Sequence, residues 1–123
     1  MRRSQRLGSS SSFARCYREG RRVRDRDTAV FFLAGPAEHG EHGGELRLGV
    51  TVSRRLGKSV RRHLLKRWVR EIFRRSHWRS QIPAGDLVVH LYPGAADFEF
   101  HEMERSLGRH LERLADRRRG GPR

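Results

Sequence analysis

The sequence predicts an α/β (α+β) fold, a two-layer α/β sandwich in which a small mixed central sheet is covered by helices. Three observations carry this. Short apolar runs bounded by Gly and Pro read as strands, longer segments place apolar residues at helical spacing, and the two kinds interleave along a chain of 123 residues, the size of one domain. Residues 1–123 are read as a single domain, with 1–9 and 117–123 expected to be flexible ends and 35–45 a flexible loop.

In chain order, SSSSFARCYREG opens as a short helix. Ser10 to Ser12 offer N-cap oxygens, Phe13 and Tyr17 stand at i and i+4 on one face, and Gly20 marks the stop. A basic extended stretch, RRVRDRD, leads to TAVFFLAG, whose length and aromatic content suit a buried strand. ELRLGVTVS alternates more cleanly, with Leu46, Leu48, Val50 and Val52 facing one way and Arg47, Gly49, Thr51 and Ser53 the other. The Gly-, Glu- and His-rich segment between them reads as a hairpin loop.

Residues 58 to 75 form a long helix without Gly or Pro inside it. Leu87 to Leu91, bracketed by Pro83, Gly85 and Pro93, is a third apolar strand. The final helix takes Asp97 as its N-cap and carries Phe100, Met103, Leu107, Leu111 and Leu114 on one stripe packed on the sheet.

Lys and Arg number 28 against 14 Asp and Glu, a net charge of +14, which calls for a polyanionic partner. No apolar run reaches the length of a bilayer span, and no signal-peptide hydrophobic region follows the arginines at the start, so no membrane role is expected. The single cysteine, Cys16, can form no internal disulfide and suits a reducing cytoplasm, as a buried small hydrophobe.

The charge concentrates in SVRRHLLKRWVREIFRR. At roughly 100° per residue, Val60, Leu64, Leu65, Trp68, Val69, Ile72 and Phe73 fall on one broad side, which would dock on the sheet. Arg62, Lys66, Arg70 and Arg74 repeat every four residues and form one ridge on the opposite side, with His63 and Arg67 beside it. Glu71 is the only acid in the segment. A solvated helix normally intersperses acids among its bases, so this segregation marks a rail for a nucleic-acid backbone, to which Arg54 and Lys58 add charge just upstream.

A second surface is expected where the first helix meets the sheet. Phe13 and Tyr17 there would face Thr51, Ser53 and one of Phe31 and Phe32. Aromatics interleaved with hydroxyls and flanked by Arg22, Arg24 and Arg54 suit the stacking of unpaired bases, although the same aromatics also serve as core. His39 and His42 with Glu38, Glu41 and Glu45 are the candidate metal ligands, set against a merely solvated loop. None of the seven His residues has the spacing of a catalytic motif, which disfavours a protein-only nuclease.

LGVTVSRRLGKSVRRHLLKRWVREIFRR resembles the signature of the bacterial ribonuclease P protein subunit. There a strand ending in a Val-Ser-basic-basic turn leads through Gly into a helix with an Arg-Asn-Arg motif, a Lys-Arg pair and an Arg-Glu pair. The frame here is Gly57, Val60, Arg62, Lys66, Arg67, Arg70 and Glu71, while His63 and Leu64 replace the family's Asn and second Arg. FARCYREG upstream and DLVVHLYPGA downstream extend the resemblance.

The resemblance implies a left-handed β-α-β crossover around the basic helix, against the usual right-handed rule. It also implies a role in magnesium-dependent removal of the 5′ leader from precursor tRNA, with the catalytic centre and most of the Mg2+ on the RNA subunit. The basic helix would bind ribonuclease P RNA. Phe13, Tyr17, Phe31 and Thr51 would line the leader cleft, with Arg62 and His63 at its edge. No catalytic residue, metal ligand or obligate protein partner is expected on this chain, and the alternative is a ribosomal or general RNA-binding protein.

Overall fold

The computed structural model describes residues 6–35, 46–75 and 81–120, the side chains of 116–120 excepted. The chain runs α1 (Ser10–Glu19), β1 (Arg21–Arg24), β2 (Thr28–Ala34), β3 (Leu46–Val52), α2 (Ser59–Arg75), β4 (Gly85–Leu91) and α3 (Phe100–Gly120). Single 3-10 turns at Arg54–Leu56 and Pro93–Ala95 precede α2 and α3.

One sheet holds all four strands in the order β1-β2-β4-β3. β2 pairs antiparallel with β1 and β4, while β3 and β4 are parallel, so β3, α2 and β4 form a β-α-β unit. Two features of the strand pairing depart from the sequence reading. The RRVR stretch is a strand, the hairpin partner of β2, and β2 and β3 do not form a hairpin because β4 lies between them. The reason is in the composition of β4: Leu87, Val88 and Val89 are all buried, and a continuous apolar run belongs at the centre of a sheet covered on both faces. His39 and His42 lie outside the described residues. Leu7, in the stretch expected to be flexible, is buried, and its N–H donates to Leu48 O at 2.9 Å, so the entering chain lies along the outer edge of β3.

Strand alternation sorts the core into two faces. Val30 and Phe32 of β2, Leu46 and Leu48 of β3 and Leu87, Val89 and Leu91 of β4 pack with α2 and α3. Ala29, Phe31 and Val88 face the other way, toward Cys16 of α1. Cys16 is fully buried, and its thiol donates weakly to Phe31 O at 3.4 Å and Asp86 O at 3.5 Å. Burial, then Asp86, pushes its pKa up to about 11, which leaves it an inert packing residue.

The helix ends follow local chemistry. Ser9 caps α1, its Oγ accepting from Ser12 N at 3.1 Å, one residue before the expected cap. Gly20 stops α1 with extended backbone, and its lack of a side chain answers crowding: a Cβ there would lie 2.5 Å from Cys16 O and 2.9 Å from Phe32 O. At α3 the cap is Glu99 and not Asp97. The Glu99 N–H donates to Glu102 Oε1 at 2.8 Å in half of a capping box. Arg61 draws the preceding carbonyls away, donating to Ala96 O at 2.9 Å and Phe98 O at 2.7 Å, so the helix begins later.

The apolar face of α2 is narrower than its sequence suggests. Leu65, Val69, Ile72 and Phe73 are buried, Leu64 and Trp68 are partly covered, and Val60 is 80% exposed. The seven apolar residues sweep an arc of roughly 220° at about 100° per residue. A helix on a sheet covers much less than that, so the edge of the arc turns outward.

Between α3 and β2 lies a buried polar cluster. Thr28 Oγ1 is 2.8 Å from both Ser106 Oγ and His110 Nε2, and His110 Nδ1 is buried without a hydrogen-bond partner. An Nε2–H that donates to Thr28 leaves only the Nδ1 lone pair unfilled, so the neutral ring suits the site. Burial holds the His110 pKa below its ordinary value against the opposing pull of Asp25, and Arg109 and Arg113 lower it further. The native state therefore binds fewer protons here than the unfolded chain, so this contribution is full above the unfolded pKa of about 6.5. It is lost as pH falls through that value toward the depressed one. Denaturant midpoints measured from pH 7 to pH 5 are expected to fall more steeply for the native protein than for His110→Gln; parallel curves would remove His110 from the balance.

Candidate nucleic-acid interface

The cations of α2 divide into two groups. Arg61 is spent on the carbonyls that precede α3 and sits over the Trp68 ring at 5.3 Å, while Arg75 lies over Phe100 at 5.4 Å. These tie α2 to α3. Arg74 pairs with Glu71, Nη2 to Oε1 at 2.9 Å, and Arg75 reaches the same carboxylate at 3.4 Å. The hydrogen bond from Arg74 holds the Glu71 carboxyl below its usual range. Arg74, expected on the rail, therefore carries a charge already answered within the helix.

Lys66, Arg67 and Arg70 make no hydrogen bond or ion pair among the described residues. Arg62 folds back, its Nη1 donating to Gly57 O. Burial, and then the nearby Arg6, lowers the Arg70 pKa, the mark of a cation lacking an anion. Arg54, Lys58, His63 and Arg67 are exposed, and Arg62, Lys66 and Arg70 partly so. These cations run along one flank of α2 toward Arg6 and the β3 edge.

How α2 starts depends on the turn before it. Ser53 Oγ accepts from Arg55 N at 3.3 Å, Leu56 is buried as the anchor of the turn, and Gly57 has a φ of 123°, in the region that favours glycine. Ser53 is thus a turn cap at the head of α2 and does not line the cleft. Arg54 and Lys58 project from this turn between the end of β3 and the rail.

On the other face of the sheet, Gly8, Ser10, Phe13, Ala14, Tyr17 and Thr51 line an open groove of about 450 Å³. Its shape follows from α1. Cys16 is the innermost residue, so Phe13 and Tyr17 on either side are only half covered. Phe13 lies on Gly49, where a Cβ would come within 2.5 Å of the ring. Tyr17 stands edge-on to Phe31 with ring centroids 4.7 Å apart. Phe31 is buried, so it supports the Tyr17 ring from beneath and presents no face of its own.

The structure also brings in His90 and Tyr92, which the sequence reading left out. Tyr17 Oη is 2.9 Å from His90 Nδ1, His90 lies against Tyr92 with centroids 4.6 Å apart, and Arg24 sits over Tyr92 at 4.9 Å. Burial and then Arg24 lower the His90 pKa, so its ring stays neutral and can share a proton with the phenol. Burial raises the Tyr17 pKa, opposed by a hydrogen bond with Thr51. The period-2 pattern of β4 places His90 with Val88 on the α1 face, a signal available from sequence. Its partner strand was not, since Thr51 and His90 become neighbours only through the parallel β3–β4 register.

Arg47, on the same face, is committed to Asp86 through two bonds of 2.8 and 3.1 Å across β3 and β4. No group of three or more His, Cys, Asp or Glu among the described residues is placed to hold a metal ion. Among the described residues no helix is long and apolar enough to cross a membrane.

Comparison with known proteins agrees with this geometry. The family model described as Ribonuclease P matches residues 1–115. The ribonuclease P protein component of Thermotoga maritima is 39% identical over 88 residues, 71% of this chain and 68% of that protein. The corresponding protein of Listeria innocua is 29% identical over 108 residues, 87% of this chain and 85% of that protein. Among solved structures, the Staphylococcus aureus RNase P protein superposes with a TM-score of 0.76 at 29% identity, covering 89% of this chain and 94% of that one. The Thermotoga maritima RNase P protein gives 0.72 at 33% identity, covering 88% and 96%. With the fold, the basic crossover helix and the match along nearly its whole length in agreement, the chain belongs to the ribonuclease P protein family.

Proposed function

We propose that this chain is the protein subunit of a ribonuclease P holoenzyme, binding the catalytic RNA through α2 and the 5′ leader of precursor tRNA in the groove beneath α1. One observation carries the reading. Lys66, Arg67 and Arg70, which make no hydrogen bond or ion pair among the described residues, lie on one side of the β3 edge, and a half-open aromatic groove lies on the other. A phosphate backbone is drawn to the first, and unpaired bases stack in the second.

In this reading the protein contributes affinity and position. Catalytic RNA and substrate are both polyanions, and a compact body of charge +14 touching both offsets their repulsion. Half-exposed rings beside the Thr51 hydroxyl accept any base, which suits leaders of varied sequence. Magnesium, bound by the RNA, supplies the hydrolytic chemistry. This chain's residues hold the leader so that the scissile phosphodiester stays in register with that centre.

The reading is tested by cleaving one precursor tRNA at low magnesium with the partner RNA alone, the protein alone and both together. Cutting at the mature 5′ end only in the mixture is expected. Equal rates with and without protein would overturn the proposal in favour of a general RNA-binding protein.

Two substitutions separate the surfaces. Lys66→Ala should weaken binding of ribonuclease P RNA and reduce the slope of log K against log salt by about one, because one phosphate partner is lost. An unchanged slope would take Lys66 off the rail. Gly49→Ala should displace the Phe13 ring and lower the preference for leader-bearing over mature tRNA by roughly fivefold or more, the low end of one stacked base. If leader preference survives while thermal stability falls, Phe13 is packing alone.

A further inference from the structure

Along the outermost line of α2 the charge is interrupted. Val60 is 80% exposed, the one large hydrophobic residue so placed among the described residues. Leu64, one turn further on, is only partly covered. With His63 and Arg67 they line an open groove of about 350 Å³. The four sit at i, i+3, i+4 and i+7, a single ridge of the helix, and none joins either buried core cluster.

Exposed aliphatic side chains on such a face cost roughly 25 cal/mol for every Å² of apolar surface left in water. A surface that met phosphates alone would gain nothing from them. The groove instead combines an aliphatic floor in Val60 and Leu64, a flat ring in His63 and a cation in Arg67, with Lys66 and Arg70 on the adjoining flank. Its occupant must be planar and apolar on one part and anionic on another. A second copy of this chain brings its own charge of +14 and is repelled. A base-paired segment keeps its bases stacked inside, out of reach of a shallow notch.

We propose that the groove of Val60, His63, Leu64 and Arg67 receives one unpaired nucleobase of the partner RNA. The base lies on Val60 and Leu64 beside the His63 ring, and its phosphate meets Arg67. The inference rests on the reading of α2 as the RNA-facing helix and adds to it a contact that is apolar and insensitive to salt. It makes α2 a reader of where the RNA backbone is unpaired, which a uniform cationic rail is not.

The test uses the full chain and ribonuclease P RNA. The double variant Val60→Ser and Leu64→Ser should bind roughly five- to tenfold more weakly, the scale of one lost stack, with the slope against salt unchanged. Lys66→Ala, measured beside it, should change the slope. If Lys66→Ala has no effect either, the rail reading itself fails. If it has its effect and the serine variant binds like the native protein, only the nucleobase site falls.

Should the double variant melt early, Val60→Ser alone carries the measurement, since Val60 supports no packing. A second readout places a photo-crosslinker on Val60→Cys, which is selective because Cys16 is fully buried. Adducts at unpaired nucleotides support the site. Adducts confined to paired segments, or joining two protein copies, overturn it.

Discussion

The burial of Leu65, Val69, Ile72 and Phe73 fixes the rotation of α2 about its axis, and with it the direction of every cation the helix carries. Each such side chain contributes on the order of 1.5 to 3 kcal/mol when fully buried. Like charges at i, i+4 cost only a few tenths of a kcal/mol per pair. Packing therefore outweighs repulsion, and Arg62, Lys66 and Arg70 can stand in one row without unfolding the helix. The β-α-β connection does the rest: because α2 joins two parallel, adjacent strands, the row runs alongside β3 and cannot swing away from it.

Charge on this helix is sorted by what lies opposite. Facing α3, Arg61 and Arg75 find carbonyls and aromatic rings, and at the C-terminal end Glu71 answers Arg74. Toward the β3 edge no acid among the described residues pairs with Lys66 or Arg70, and Arg6 adds to the field. A sequence count treats these cations as equal. Once folded, some are structural bonds and the rest form a surface whose lowest-energy partner is an anion brought from outside.

The amphipathic pattern of α2 and α3, the alternation of β3 and the density of positive charge were legible from the sequence, because each is local and periodic. The family signature running from Gly57 to Glu71 made the function legible as well. What sequence could not supply were the non-local choices. β4 took the place beside β2 that proximity along the chain would give to β3, since Leu87, Val88 and Val89 need cover on both faces. Val60 belonged to the apolar arc by composition and fell outside it by geometry. His90 joined Tyr17 only through the parallel register with Thr51, a pairing between strands separated by a whole helix.

The groove beneath α1 shows why a small, inert residue can govern a binding surface. Cys16 occupies the innermost position of a helix only ten residues long, so the two aromatics flanking it are held at the margin, neither buried nor free. Gly49 lets Phe13 settle against the backbone of β3, while Phe31 and His90 fix the tilt of Tyr17. Rings held in this way would lose little further freedom if, as proposed, a base stacked on them, so more of the stacking energy would appear as affinity. The same economy separates the two surfaces by physics. Under the proposed function, contacts to the row of cations on α2 would weaken with salt, whereas stacking in the groove beneath α1 would not.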